Sequence, residues 1–262
     1  MSSQAQSQEL SLLNKVPEVT IYFWIIKILA TTVGETAADL LSARLGLGLT
    51  VTSWIMSAAF VAALIWQVQT KRYIPTPYWL TVVLISVVGT LISDNLVDGM
   101  GISLVTTSIA FAIILSTVFA LWYRSERTLS IHSIVTRRRE FYYWAAILFT
   151  FALGTSAGDL MAERFNLGYG LAAIVFAAMI AVTYALYRLV NMNAILAFWI
   201  AYILTRPLGA SVGDFLAKPV IAGGLGWGTV NTSLLFLSAI LTLVVFLTVS
   251  KADRIEQVAA ET

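Results

Sequence analysis

The sequence predicts an all-α polytopic membrane protein with eight transmembrane helices. They form four tandem two-helix repeats, arranged as two homologous four-helix halves. Three observations predict this. First, 59% of the 262 residues are hydrophobic and 11% are charged, with a mean hydropathy of +0.85. Soluble domains run at about 45–50% apolar and about 25% charged. Second, the apolar residues fall into eight stretches, each close to the roughly 20 residues that cross a bilayer. Third, one pattern recurs four times: Trp, then Gly ten residues later, then Asp five residues after that.

The first span, 19–41, contains WIIKILATTVGETAAD and carries Trp24, Gly34 and Asp39. The second, 49–69, follows Gly46 and Gly48 and opens on the small polar run TVTS at 50–53. The third, 78–97, repeats the pattern as WLTVVLISVVGTLISD, with Trp79, Gly89 and Asp94. The fourth, 102–123, follows Gly99 and Gly101 and holds TTS at 106–108. The fifth, 141–162, reads WAAILFTFALGTSAGD, with Trp144, Gly154 and Asp159. The sixth, 168–189, begins at the pair Gly168 and Gly170. The seventh, 194–216, reads WIAYILTRPLGASVGD, with Trp199, Gly209 and Asp214. The eighth, 229–249, follows Gly226 and Gly228 and holds NTS at 231–233.

Successive patterns are 55, 65 and 55 residues apart, so the first and third, and the second and fourth, are each 120 apart. DLLSARLGLG after the first also matches DLMAERFNLG after the third, with Arg44 and Arg164 in register. The chain therefore divides into a first half, 15–132, and a second, 133–250. Residues 1–14 and 251–262 are polar and are expected to be disordered tails. The first fourteen lack a basic start and an apolar core, which argues against a signal peptide. Each unit has two spans, so all four insert the same way round. The repeats are parallel, about an axis along the membrane normal.

Sorting the basic residues gives an orientation. One side collects Lys15, Lys71, Arg72, Arg124, Arg127, Arg137, Arg138, Arg139, Arg188, Lys251 and Arg254. The other collects Arg44, Arg164 and Lys218. The positive-inside rule puts both termini in the cytoplasm. The basic connection RSERTLSIHSIVTRRRE between the halves then suits anionic lipid rather than nucleic acid.

The tandem units, with KVPEVT leading into FWIIKILATTVGETAAD, resemble a family of bacterial membrane proteins built from a four-fold repeat of unknown function (DUF347). The resemblance covers residues 15 to about 250. It implies two transmembrane helices and one tryptophan per repeat, and a bacterial inner-membrane location. It implies no activity, so function rests on the residues.

Within each pattern the Asp lies about 22 Å along the helix from its Trp, at about 1.5 Å per residue. On the inferred orientation the aspartates are in the outer part of the membrane. The four tryptophans are expected as an interfacial aromatic belt, with inter-helix packing as the alternative. Gly34, Gly89, Gly154 and Gly209, with the small residues after them, form a strip that lets helices approach closely; a backbone kink is the other reading. The aspartates sit at one depth on helices placed around one axis. Converging carboxylates make a cation site, a proton relay or a ring at a pore mouth. The plainer reading is that each caps a loop or pairs with a nearby arginine, as Asp39 with Arg44 and Asp159 with Arg164. Asn95 and Asp98 make the second unit more acidic at that end, as an attractor of cations or as a solvated loop.

Two positions break the repeat. Glu35 stands four residues before Asp39, where the other units have Thr90, Thr155 and Ala210. Arg206 stands seven residues past Trp199, near mid-membrane, and precedes Pro207. Pro207 removes a helix hydrogen bond and is expected to kink the seventh span. Arg206 is expected either in a buried ion pair with Glu35 or an Asp, or as an internal counter-charge that a cation or proton displaces. Lys27, three past Trp24, is the second internal cation and is expected to snorkel to the interface.

The composition also limits function. There is no cysteine, and the one histidine, His132, lies in a connection. This excludes thiolate chemistry, a histidine metal cluster and a histidine triad within one chain. H-E-x-x-H does not occur, and the two matches to G-x-S-x-G, GTSAG at 154–158 and GASVG at 209–213, fall inside helical spans rather than on the strand-to-helix turn that a serine nucleophile needs, so an enzyme is not expected, and no cofactor is. The pattern points to a secondary transporter of a small cation, with proton coupling a natural use of grouped carboxylates. Oxygen ligands at Glu35, Asp39, Asp94, Asp159 and Asp214 suit hard divalent metals such as Mn or Mg. Two alternatives stay open: a cation-selective pore with an aspartate ring, and a carrier of a small organic solute with Arg206 as an anion site.

Overall fold

The computed structural model describes residues 14–253. The expected tail segments 1–13 and 254–262 lie outside the described residues. Among the described residues there are eight long helices: α1 Ile21–Asp39, α2 Gly48–Gln69, α3 Pro75–Asp94, α4 Leu104–Glu126, α5 Arg137–Asp159, α6 Gly168–Leu189, α7 Ala194–Ala217 and α8 Thr229–Ser250. All eight are long and apolar enough to cross a membrane. α1, α3 and α5 continue as single π-helical turns, Leu40–Arg44, Asn95–Gly99 and Leu160–Arg164. Asp39, Asp94 and Asp159 each end the α-helical part. In the fourth unit α7 keeps its α-helical pitch through Asp214 and stays helical across Pro207.

The helices sort into two shells. In α1, α3, α5 and α7, 50–61% of the most apolar stretch is buried, against 17–28% in the even helices. The odd helices form a closed ring: α1 packs on α3, α3 on α5, α5 on α7, and α7 back on α1. Each even helix lies outside and leans on the inner helix of the following unit: α2 on α3, α4 on α5, α6 on α7, and α8 on α1. The four units therefore interlock, and the two halves share one core.

Two layers of side chains close the ring, and both come from the repeated pattern. The first is aromatic. The residue just before each Trp meets the Trp of the next unit: Phe23 on Trp79 at 5.7 Å, Tyr78 on Trp144 at 5.6 Å, Tyr143 on Trp199 at 6.4 Å and Phe198 on Trp24 at 5.7 Å between ring centroids. The second layer is glycine. A Cβ on Gly34 would overlap Ser86, on Gly89 Phe151, on Gly154 Arg206, and on Gly209 Thr31. Each partner stands three residues before the glycine of the next unit. Helices can come this close only where no side chain intervenes.

This arrangement corrects the aromatic-belt expectation. Trp79, Trp144 and Trp199 are buried and Trp24 is half-buried. They pack between helices instead of lining the lipid interface. Trp79 Nε1 donates to Tyr73 Oη at 3.1 Å and Trp199 Nε1 to the Leu129 carbonyl at 2.9 Å.

The same end of the bundle is closed by its connections. Asn14, assigned to the tail from sequence, is buried, and its Oδ1 accepts from Ile134 N at 3.2 Å. Lys15 Nζ donates to Glu140 Oε2 at 2.7 Å, a buried ion pair between the entry segment and α5. Asp253 is buried too; the Tyr73 hydroxyl donates to its carboxylate, and Glu18 N donates to its carbonyl at 3.1 Å. Burial and then the Asp253 carboxylate hold the Tyr73 phenol above its ordinary pKa.

At the opposite end, the turns into the even helices need left-handed backbone. Gly46 and Gly48 have φ of +71° and +74°. In the third unit the equivalent residues are Asn166 (φ 58°) and Gly168 (φ 74°). The expected pair Gly168 and Gly170 is thus corrected by two residues. Gly170 lies inside α6, where a Cβ would come within 3.2 Å of the Phe215 ring. Asparagine tolerates the left-handed region better than most residues, which is why the Gly-x-Gly signal shifted.

Candidate functional site

The ring encloses a line of charged and polar side chains. One turn deeper than the aspartates, toward the aromatic layer, are Glu35, Thr90, Thr155 and Ala210. A further turn in are Thr31, Ser86, Phe151 and Arg206. The next turn holds Lys27 and Tyr202. All follow from i, i+4 spacing, which stacks residues on one helix face.

Arg206 is at the centre. It is 0% exposed and reaches all three other ring helices. Its Nη1 donates to the Thr31 carbonyl at 2.6 Å and its Nε to the Phe151 carbonyl at 3.4 Å. Its Nη2 donates to Glu35 Oε2 at 3.1 Å, to Thr155 Oγ1 at 2.6 Å and to Thr90 Oγ1. The Phe151 ring lies 5.6 Å from the guanidinium carbon. Gly154 makes room for the stem: a Cβ there would collide with Arg206 and come within 2.9 Å of Pro207 Cδ. The sequence left Arg206 with two readings, and the ion pair with Glu35 is the geometry found. All three guanidinium nitrogens are engaged within the chain, which leaves little to bind an anion.

Lys27 does not snorkel. It is buried at 1% exposure, and its Nζ has no hydrogen-bond partner among the described residues. The ammonium lies between two ring faces, 4.2 Å from the Phe151 centroid and 4.1 Å from that of Tyr202. Position along a helix gives depth but not direction; Lys27 faces the ring interior, where the aromatic layer separates it from water.

The aspartates lie at the other end. Asp94, Asp159 and Asp214 are each within electrostatic range of Glu35. Asp39 is within range of Asp94 and Asp214. Asp214 is 2% exposed, whereas Asp39, Asp94 and Asp159 are half-buried. The expected pairs Asp39–Arg44 and Asp159–Arg164 do not form among the described residues. Instead Lys218, just past α7, reaches Asp214 Oδ1 at 3.6 Å and lies over the Tyr169 ring at 5.3 Å. Burial alone would push the Lys218 ammonium down. Asp214, Asp39, Tyr169 and Glu35 outweigh it and hold the lysine above its ordinary pKa.

No group of three or more acidic or histidine side chains among the described residues is placed to hold a metal ion. Glu35, Asp39, Asp94, Asp159 and Asp214 do not converge into one ligand set in this structure. The reasons are local. Glu35 is a turn deeper and is taken by Arg206, Asp214 leans toward Lys218, and the other aspartates end their α-helices on separate sides of the ring.

Several residues of this region were not singled out from sequence. Glu163 lies within electrostatic range of Asp39, Asp159 and Asp214, and its Oε1 accepts from Tyr169 Oη at 3.0 Å. Its signal was the replacement of Ala43 by Glu at the equivalent position of the third unit. The aromatic residues Phe23, Tyr78, Tyr143 and Phe198 carried a plainer signal, an aromatic before every repeat Trp. The Tyr78 and Tyr143 hydroxyls meet at 2.5 Å.

A groove of about 650 Å³ opens on the outer side of α1, α6 and α7, lined by Trp24, Phe198, Tyr184, Tyr187 and His132 among others. It is separate from the charged axis.

The comparisons with known proteins agree with this architecture. No curated protein and no solved structure matches the chain. A family model for a repeat of unknown function, DUF347, matches four times, at residues 22–73, 77–128, 142–192 and 197–253. Each match holds one inner and one outer helix. The chain belongs to the family of membrane proteins built from the DUF347 repeat.

Proposed function

We propose that this protein is a secondary transporter of a small hard cation, a divalent metal such as Mn or Mg, with proton coupling through its intramembrane carboxylates. The observation that carries the reading is the placement of Asp39, Asp94, Asp159 and Asp214 at one end of a closed ring, all electrostatically linked to one another or to Glu35. Such a mouth concentrates cations and disfavours anions. The bilayer makes buried carboxylates costly, and residues retained there usually serve an ion or proton path. On this reading the aspartates recruit and relay the cation, and Glu35 is the carboxylate that meets it on the axis.

Two features favour a carrier over a permanently open pore. The guanidinium of Arg206 fills the centre of the ring, and the aromatic layer closes the axis beyond it. A cation crosses only if both rearrange, which is alternating access. By the positive-inside rule we infer from the gathering of basic residues at the aromatic end that this end, with both termini, faces the cytoplasm of a bacterial inner membrane.

The test is metal tolerance and cellular metal content in a deletion strain. It is complemented with wild type or with Asp39→Asn/Asp159→Asn. A metal-specific sensitivity restored only by wild type supports the reading. Identical metal content in all strains, with the protein in the membrane, overturns it.

A further inference from the structure

Arg206 occupies a site with a chemistry of its own. The guanidinium is surrounded by five oxygens: Glu35 Oε2, the Thr90 and Thr155 hydroxyls, and the carbonyls of Thr31 and Phe151. They come from α1, α3 and α5. No nitrogen or sulfur ligand is among them, and one carboxylate supplies the negative charge. An all-oxygen shell of this kind suits hard inorganic cations.

The repeat shows that the guanidinium is an addition. The equivalent positions hold Thr31, Ser86 and Phe151, whose side chains fill the glycine notch of the preceding unit. The stem of Arg206 fills the Gly154 notch in the same way. Its head group goes further, as the Phe151 ring does, and is the one charged group among the four. A residue as short as Ser86 there would leave the five oxygens facing an empty space. We propose that Arg206 is a tethered occupant of an oxygen-lined cation site on the ring axis, and that a small hard inorganic cation takes this site when the guanidinium withdraws. This deepens the transport reading and rests on it for the physiological cargo, although the site's capacity to bind does not depend on flux.

The helix that carries the occupant is weakened beside it. Pro207 follows Arg206 directly and has no N–H to give to the carbonyl of Ile203. α7 thus lacks one rung of its ladder one turn before the guanidinium's stem. Ala210 brings no oxygen to the fourth corner of the Glu35, Thr90 and Thr155 layer. The occupant is therefore held from three sides and delivered from the fourth.

The test uses purified full-length protein in detergent, with thermal unfolding followed in chloride salts of sodium, potassium, magnesium, manganese and guanidinium. Arg206→Ala is expected to melt well below wild type. One of the inorganic cations should then raise its midpoint in a saturable way, by several degrees at about 100 times its Kd. The rise should be absent in Arg206→Ala/Glu35→Gln, and wild type, where the tethered guanidinium competes for the same oxygens, should shift less than Arg206→Ala at the same concentration. Arg206→Met, which keeps the stem and removes the head group, should behave as Arg206→Ala does. If both variants fold only in the presence of one inorganic cation, that also supports the site. Folded variants that no cation shifts overturn the proposal. So do variants that no salt can fold. Recovery by guanidinium alone overturns the hard-cation assignment. Saturable cation binding without flux in proteoliposomes leaves the site standing and removes the transport reading; flux without binding does the reverse.

Discussion

A methyl group added at Gly209 probes the closure of the ring. The Cβ of Gly209→Ala would lie 2.6 Å from Thr31 Cβ and 3.1 Å from the Thr32 backbone nitrogen. Turning a side chain cannot relieve the second contact, so α7 must move away from α1. Overpacking of this kind costs about 1–3 kcal/mol, and the backbone obstruction sets this case near ~3 kcal/mol. Replacing a helical glycine by alanine returns about 1 kcal/mol in propensity. The net expectation is a loss of about 2 kcal/mol. Gly158→Ala on α5 is the control: its new Cβ would meet Pro207 Cα at 3.5 Å, an ordinary contact. There the propensity gain stands nearly unopposed. Thermal unfolding of detergent-purified protein, read by tryptophan fluorescence, should place Gly209→Ala well below wild type and Gly158→Ala level with it or above. If Gly209→Ala melts with Gly158→Ala, the close approach of α7 to α1 is refuted.

Other parts of the account are open to similar tests. Glu35→Ala strands the buried Arg206 charge and should cost about 3–5 kcal/mol; adding Arg206→Met should recover much of that in the thermal midpoint, whereas additive losses would dissolve the pair. His132 donates to Glu18, with its Nδ1 3.5 Å from Oε1, and that hydrogen bond lifts the imidazole above its usual pKa against partial burial. As the sole histidine it can be titrated by NMR: its midpoint should fall in Glu18→Gln. The stabilisation from this contact should be full below about pH 6.5, the unfolded value, and fade as pH rises through the folded midpoint. Brominated lipids should quench a variant retaining only Trp54, which is 75% exposed, and should barely touch one retaining only Trp79.

The repeat made most of the architecture legible. Apolar length counted the helices, and W-x9-G-x4-D separated the odd helices from the even. What the sequence could not give was direction around each helix. In a soluble protein the polar face marks the outside. In a bilayer the lipid-facing and core-facing surfaces are equally apolar. Trp79 and Lys27 could therefore be placed in depth but not turned inward or outward, and the belt and snorkelling expectations failed together for that reason. Glu35 and Arg206 stood out because they broke the repeat, and the structure joins them. The aspartates stood out because they kept it. Equal depth did not bring them to one point, since each sits on a different helix of the ring and Asp214, still inside α7, turns to Lys218.

The most direct test of the central claim is cation uptake by the purified protein in proteoliposomes under an imposed pH gradient. Manganese and magnesium indicators and a pH dye are trapped inside, and wild type is compared with Glu35→Gln. The account predicts uptake of one cation with opposing proton movement in wild type, and loss of both in Glu35→Gln. Uptake that survives Glu35→Gln unchanged, or wild-type protein that moves neither metal nor protons in either direction, would contradict it.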